Sequence, residues 1–138
     1  MYLLDTNIIS ELRRIKPHGA VVEWIKQMDD NQLFISAVSL GEIQAGIELT
    51  RTQDPKKAKE IEGWLNLVAE SYNILPLEGK VFRLWAKLMH GTSNTLYEDA
   101  MIAATAKTHH LTIVTRNIAD FKTLDVDWFN PFDGMRSS

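Results

Sequence analysis

Within its first dozen positions the chain changes the spacing of its apolar residues. Tyr2, Leu3 and Leu4 run consecutively up to the carboxylate of Asp5, and Ile8, Ile9 and Leu12 then follow at helical intervals. The pattern reads as strand, turn and helix. A short strand that is apolar on both faces suits the middle of a parallel sheet, where functional groups gather just beyond the carboxyl ends of the strands. Asp5 stands at such an end. Asp5 or Asn7 would also serve as a plain helix cap, since both accept hydrogen bonds from the free amides of a first turn. What separates the two roles is whether other carboxylates take matching positions further along.

After a break at Lys16-Pro17-His18-Gly19, the residues Val21, Val22, Trp24, Ile25 and Met28 predict a second helix, ended by Asp29-Asp30-Asn31. Leu33-Phe34-Ile35 is a compact β-prone run, and Ser36 to Ser39 leads into a helix carrying Ile43 and Ile47. In that helix Ser39 and Glu42 match a capping box, which gives Glu42 a structural alternative to any chemistry. Asp54-Pro55 is a good helix start, and Ile61, Trp64, Leu65 and Val68 give the following helix its apolar face, with Lys56, Lys57 and Lys59 as a solvated surface. Ile74-Leu75 predicts a short strand. Val81, Phe82, Trp85, Leu88 and Met89 form the next helical stripe, with Lys80, Arg83 and Lys87 on a solvated face. Beyond the turn-rich Gly91 to Thr95, the span from Leu96 to His109 predicts a helix whose small apolar run, Ala100 to Ala106, implies burial all round, and Asp99 opens it. Leu111 to Thr115 is the clearest strand. Val126, Trp128 and Phe129 predict a last edge strand, followed by a loosely packed tail from about residue 130. Strands alternating with helices point to an α/β sandwich, a mainly parallel sheet flanked by helices, in one domain over 1–138.

Composition narrows the chemistry. There are no cysteines, so disulfides, thiolate metal sites and cysteine nucleophiles are excluded and any metal must be held by oxygen or imidazole. His18, His90, His109 and His110 lack metal-ligand spacing and read as surface or helix-end residues. A net charge of -3 argues against a generally basic nucleic-acid surface, leaving phosphate to a local basic patch or a bound cation. Asp5 interrupts the apolar start and no apolar run is long enough to span a bilayer, so a cytoplasmic protein with no membrane partner is expected.

Three acids share a topological position: Asp5 after the first strand, Glu42 after the second, and Asp99 at the start of the helix leading into the strongest later strand. Right-handed crossovers bring strand ends and helix starts to one edge of a parallel sheet, so the three can converge. Carboxylates crowded without a counter-charge raise one another's pKa, and a divalent cation relieves the repulsion. Oxygen ligands without thiols suit magnesium or manganese, which polarise phosphodiesters and acidify bound water. Asn117 follows a strand directly and reads either as a turn residue or as a further oxygen ligand, with Asp120 close enough to share that task. A phosphatase of the Asp-x-Asp type is disfavoured by Asn7, and no glycine-rich nucleotide loop is present.

Taken together, Leu3-Leu4-Asp5-Thr6-Asn7, Ile35-Ser36 followed by Glu42, Asp99 with Ile102-Ala103-Ala104-Thr105-Ala106, and Ile113-Val114-Thr115-Arg116-Asn117 with Phe121 resemble the PIN domain. The match covers nearly the whole chain. Its length and the closing Phe129-Asn130-Pro131-Phe132 are similar to the VapC and FitB toxins of type II toxin-antitoxin pairs. The resemblance implies a magnesium-dependent endoribonuclease, with manganese substituting, that acts on RNA, forms a homodimer and is held inactive by a VapB-like antitoxin. It carries the metal-ligand role onto Asp5, Glu42 and Asp99, and a site-ordering role onto Thr6 and Thr115. Where many members have a fourth acid after the Thr-Arg pair, this chain has Asn117. Arg116, or a lysine or arginine borne on a helix, is the candidate phosphate contact. The competing expectation is a non-catalytic module of the same fold acting with its antitoxin as a DNA-binding repressor complex, in which DNA is met only through the antitoxin. Four tryptophans, Trp24, Trp64, Trp85 and Trp128, supply either core or a partner-recruiting surface.

Overall fold

The computed structural model describes residues 1–137. The first half runs β1 (Tyr2–Leu4), α1 (Thr6–Arg13), α2 (Gly19–Gln27), β2 (Leu33–Ser36), α3 (Ala37–Arg51), α4 (Pro55–Ser71) and β3 (Asn73–Leu75). The second runs α5 (Gly79–Met89), α6 (Tyr97–His109), β4 (Thr112–Val114), α7 (Ile118–Lys122), β5 (Trp128–Asn130) and β6 (Met135–Arg136). The strands form one sheet in the order β3-β2-β1-β4-β5-β6, parallel throughout except for the antiparallel β5–β6 pair. This is the expected α/β sandwich.

Strand alternation splits the core into two layers, one on each face of the sheet. Leu3 and Ile113 pack with Ala100, Ile102, Ala103 and Ala106 of α6 and with Phe121 of α7. Their neighbours Leu4 and Val114 point the other way, onto Ile8 and Ile9 of α1, Val21 of α2 and Val68 of α4. Leu3, Leu4, Ile113 and Val114 are fully buried, and each such side chain contributes about 1.5–3 kcal/mol by leaving water. The alanines of α6 let that helix lie close on the sheet, which explains a helix with almost no polar face. Trp128 is buried, and Trp24, Trp64 and Trp85 are half-buried against these clusters, so core packing accounts for much of the tryptophan surface.

Three expectations are corrected. The cap of α3 is Ser36, whose Oγ accepts from the Val38 amide at 3.1 Å, because β2 ends at Ser36 and leaves its hydroxyl free; Ser39 and Glu42 lie inside the helix and form no capping box. The edge beyond β5 is occupied by β6, and the chain from residue 130 is not loose. Asn130 and Pro131 are buried, Asn130 Oδ1 accepts from the Phe132 amide at 2.9 Å, and Gly134 at φ +79° lets the chain turn back so that Phe129 pairs with Arg136. The Arg136 guanidinium then covers the Phe129 ring at 4.8 Å. Apart from these three, the five-residue α7, too short to show a helical period in the sequence, buries Phe121 completely.

Candidate functional site

Strand order reverses at β1. The chain builds β2 and β3 outward on one side of it, then returns to place β4 and β5 on the other. The crevice outside the carboxyl ends of β1 and β4 is therefore the topological switch point of the sheet, where α/β folds bind ligands. Asp5 follows β1 directly and Thr115 follows β4. The Asp5 amide donates to the Val114 carbonyl at 2.9 Å, which continues the ladder one residue past the strand and fixes the carboxylate in the crevice.

Every oxygen of Asp5 is engaged. Oδ1 accepts from the Thr6 amide at 2.8 Å, so Asp5 does cap α1, while Oδ2 accepts from the Thr115 hydroxyl at 2.8 Å and from Asn7 Nδ2 at 3.1 Å. Asp5 is buried, and that burial raises its pKa against the lowering effect of the Thr115 and Thr6 bonds, with Asp120 adding a smaller upward push. Asn7 also receives the Arg116 amide at its Oδ1, at 3.4 Å, and thereby ties the ends of β1 and β4 together. Sequence reasoning treats Asn7 only as a cap, and its place beside Asp5 becomes visible only once β1 and β4 are neighbours.

Glu42 enters from α3. The Thr6 hydroxyl lies 2.8 Å from Glu42 Oε1 and 2.8 Å from Ser39 Oγ. A hydroxyl has one proton and two lone pairs, so Thr6 holds the carboxylate on one side and the buried Ser39 on the other. The pKa of Glu42 is pushed up to about 7, by burial first, then by Glu98 and to a smaller extent by the charge of Asp5, against the lowering bond from Thr6. Asp99 in the first turn of α6 is likewise raised to about 7, by burial and then by the charges of Asp5 and Asp120. Asp99 makes no capping bond among the described residues, so its structural role is that of an acid in the first turn of α6, where the helix dipole favours negative charge. Glu98 is a site neighbour that the sequence reading missed; it sits beside Asp99 in the same helical turn and would be found by asking what else that turn carries.

Asp120 reaches the cluster from α7, and Asn117 Nδ2 donates to its Oδ2 at 2.6 Å. Asn117 thus stands behind Asp120, while its own amide donates to the Thr115 hydroxyl at 2.9 Å. Arg116 is exposed, and its guanidinium lies 4.5 Å from the centre of the Phe132 ring, directed toward the chain's end.

Asp5, Glu42, Glu98, Asp99 and Asp120 gather with no lysine or arginine paired to any of them among the described residues. Hard carboxylates gathered without a counter-charge, with Asp5, Glu42 and Asp99 raised in pKa first by burial and then by neighbouring acids, are the donor set that a divalent cation suits. As the side chains stand, no three acids or histidines among the described residues close around one point, so the fit is one of donor chemistry and charge.

An α/β sandwich with an acidic switch point defines a class, and comparison with known proteins gives the family. The PIN domain family matches residues 2–126, and the chain belongs to it. Toxin FitB of Neisseria gonorrhoeae is 34% identical, covering 96% of this chain and 99% of FitB. VapC ribonuclease Y4jK of Sinorhizobium fredii is 32% identical over 96% and 99%. Among solved structures, FitAcB from Neisseria gonorrhoeae superposes with a TM-score of 0.83 at 34% identity, over 96% of this chain and 99% of that one. FitAB bound to the IR36 DNA fragment gives 0.80 at 32%, over 96% of each.

Proposed function

We propose that this protein is a divalent-metal-dependent endoribonuclease and the toxin half of a VapBC-like toxin-antitoxin pair, acting in the cytoplasm as a homodimer. The observation that carries the reading is the convergence at the switch point of Glu42 and Asp99, each with a pKa of about 7, around the buried Asp5 without any cationic partner. The names of FitB and VapC ribonuclease Y4jK support it.

Asp5, Glu42 and Asp99 would hold magnesium, with manganese substituting, and Asp120, braced by Asn117, is the next oxygen donor. When bound, such an ion polarises a phosphodiester and makes a water acidic enough to attack it. The chain's own residues supply the rest. Thr115 and Asn7 hold Asp5 in one rotamer, Thr6 and Ser39 hold Glu42, and burial shields Asp5 from solvent. Because Glu42 and Asp99 are pushed up to about 7 without an ion, both would give up their protons as a cation binds, so uptake of the ion would release protons.

A cognate VapB-like antitoxin is the proposed partner, and DNA is met only through it, in line with the relative FitAB that was solved on a DNA fragment. The test is cleavage of labelled RNA by purified protein in millimolar magnesium, in manganese and in chelator, beside the Asp99→Asn variant. Metal-dependent cleavage lost in the variant is expected. Equal cleavage by both, or none by a folded wild type in either metal, would move the assignment to a non-catalytic repressor module. Size measurement alone and with the neighbouring gene's product tests the dimer and the antitoxin.

A further inference from the structure

The acidic centre opens into a groove of about 350 Å³ that runs away between α1, α3 and α4. Its lining includes Thr6 and Glu42 of the acidic centre, Ser10, Gly46 and Trp64, and Arg13, about two turns of α1 beyond Thr6. Arg13 also lines a second hollow of about 500 Å³, together with Arg14, Ile15, Lys16 and Lys57. Arg13 lines both hollows, so the acidic groove and the basic shelf adjoin at that side chain. From Thr6 to Arg13 the rise along α1 is roughly 10 Å.

This shelf is out of character for a chain with net charge -3. Arg14 is shared with the buried Glu11 at 3.3 Å, but Arg13, Lys16 and Lys57 enter no ion pair among the described residues. Ile15, held among these cations, is 99% exposed. Burial does not account for that cluster, and neither does charge pairing. A single-stranded polyanion with aromatic bases fits all parts of the path: cations for its phosphates, hydroxyls for its sugars, and an indole on which a base stacks.

We propose that the groove and shelf form the track that carries the RNA backbone away from the scissile phosphate, with Arg13 and Lys57 as phosphate contacts and Trp64 as a stacking wall. This rests on the ribonuclease reading above and adds the path and polarity of substrate binding to it. Gly46 provides a clean way to block the track. A Cβ at Gly46 would meet nothing within 4 Å, and Gly46 lines the groove, so a side chain there has open space at the groove's edge, and α3 is a stronger helix without its glycine.

The experiment compares wild type with Arg13→Gln/Lys57→Gln, with Gly46→Leu, and with Lys26→Gln/Lys87→Gln, a pair of equal charge change off the track. The probe is a mixed-sequence, fluorescein-labelled single-stranded RNA, cleaved in magnesium and bound in calcium across a salt series. For the double variant at Arg13 and Lys57, KM should rise about tenfold with kcat unchanged, and the slope of log affinity against log salt should shrink by about 1.4, two single-strand phosphate contacts. For Gly46→Leu, KM should rise with no fall in melting temperature. The control pair should keep the wild-type slope. Wild-type cleavage with KM and slope unmoved in both track variants would overturn the track and leave the ribonuclease reading standing. Loss of antitoxin binding alone, with RNA binding intact, would assign the path to the partner protein and overturn the track. A folded wild type that neither binds nor cuts the RNA would overturn both.

Discussion

Glu42 and Glu48 lie on the same helix, α3, and meet opposite electrostatic fates. Glu48 accepts from Arg51 Nε at 3.0 Å and from Gln44 at 2.7 Å, and Arg51 reaches across to Glu62 on α4 at 3.1 Å. The pKa of Glu48 is lowered by the Arg51 bond and then by Gln44; that of Glu62 is lowered by Gln44 and then by Arg51. Less than two turns earlier, Glu42 is turned into the crevice, where burial and Glu98 push it up to about 7. The two ends of one helix differ in whether a cation of the chain's own is present. Acids that meet an arginine tie α3 to α4 and need nothing further, while acids gathered without one are left short of positive charge, which is the condition a metal relieves.

The largest break of this contrast is Asp99→Asn, which removes a negative charge from the unpaired cluster. RNA cleavage and growth inhibition should fall at least about 100-fold, since even groups that merely orient a metal ligand cost 10- to 100-fold when removed. The metal-free protein should be no less stable, because repulsion is relieved. A cleavage assay together with thermal melts in chelator reads both.

Thr115→Val keeps the shape of a buried side chain and deletes the hydroxyl that donates to Asp5. Manganese affinity, measured by calorimetry, should fall about 10- to 100-fold, with a stability loss of about 1 kcal/mol. An unchanged affinity would show that Asp5 needs no orientation.

Smaller again is the pH dependence of the metal-free fold. Glu42 and Asp99 rise from ordinary values of 4.5 and 3.8 to about 7, so between about pH 4 and pH 7 the folded chain holds protons that the unfolded chain has lost. Stability therefore falls as pH rises through that window and levels off above it. The drop is on the order of 1 kcal/mol, discounted because both side chains are half-exposed and screened by solvent. Urea titrations at pH 4.5, 6 and 8 in chelator check it, and millimolar manganese at pH 8 should recover what was lost. At the other end of α3, Glu48→Gln should leave cleavage and metal affinity where they are, because exposed ion pairs contribute little.

Much of this was legible in the chain. Consecutive burial of Leu3 and Leu4 follows from an apolar run with no polar alternation, and the alanines of α6 announce a helix pressed on a sheet. Asp5, Glu42 and Asp99 could be proposed together because each sits at a strand end or helix start, a relation that parallel topology turns into proximity. The Ser39–Glu42 capping box failed because local pattern cannot tell which of Ser36 and Ser39 ends the strand; Ser36 does, and Ser39 serves Thr6 instead. Asn7 and Glu98 were missed for a different reason. The cross-strand partners of Asn7 lie about 110 residues away, so only the assembled switch point gives it a role; Glu98 meets Glu42 about 56 residues away, and its one local signal is its place beside Asp99 in the same helical turn. The tail was misread because its order depends on Gly134 turning the chain back onto β5, a pairing that two residues of strand do not advertise.

The central claim is that the unpaired acids at the switch point bind a divalent cation and the paired acids of α3 and α4 do not. Calorimetric titration of manganese into the wild type, into Asp5→Asn/Glu42→Gln/Asp99→Asn and into Glu48→Gln/Glu62→Gln, near pH 7 in two buffers of different ionisation enthalpy, measures it directly. Saturable binding with proton release is predicted for the wild type and for the α3–α4 variant, and none for the triple variant. Binding that persists in the triple variant, or a folded wild type that takes up no ion at millimolar concentration, would contradict the account.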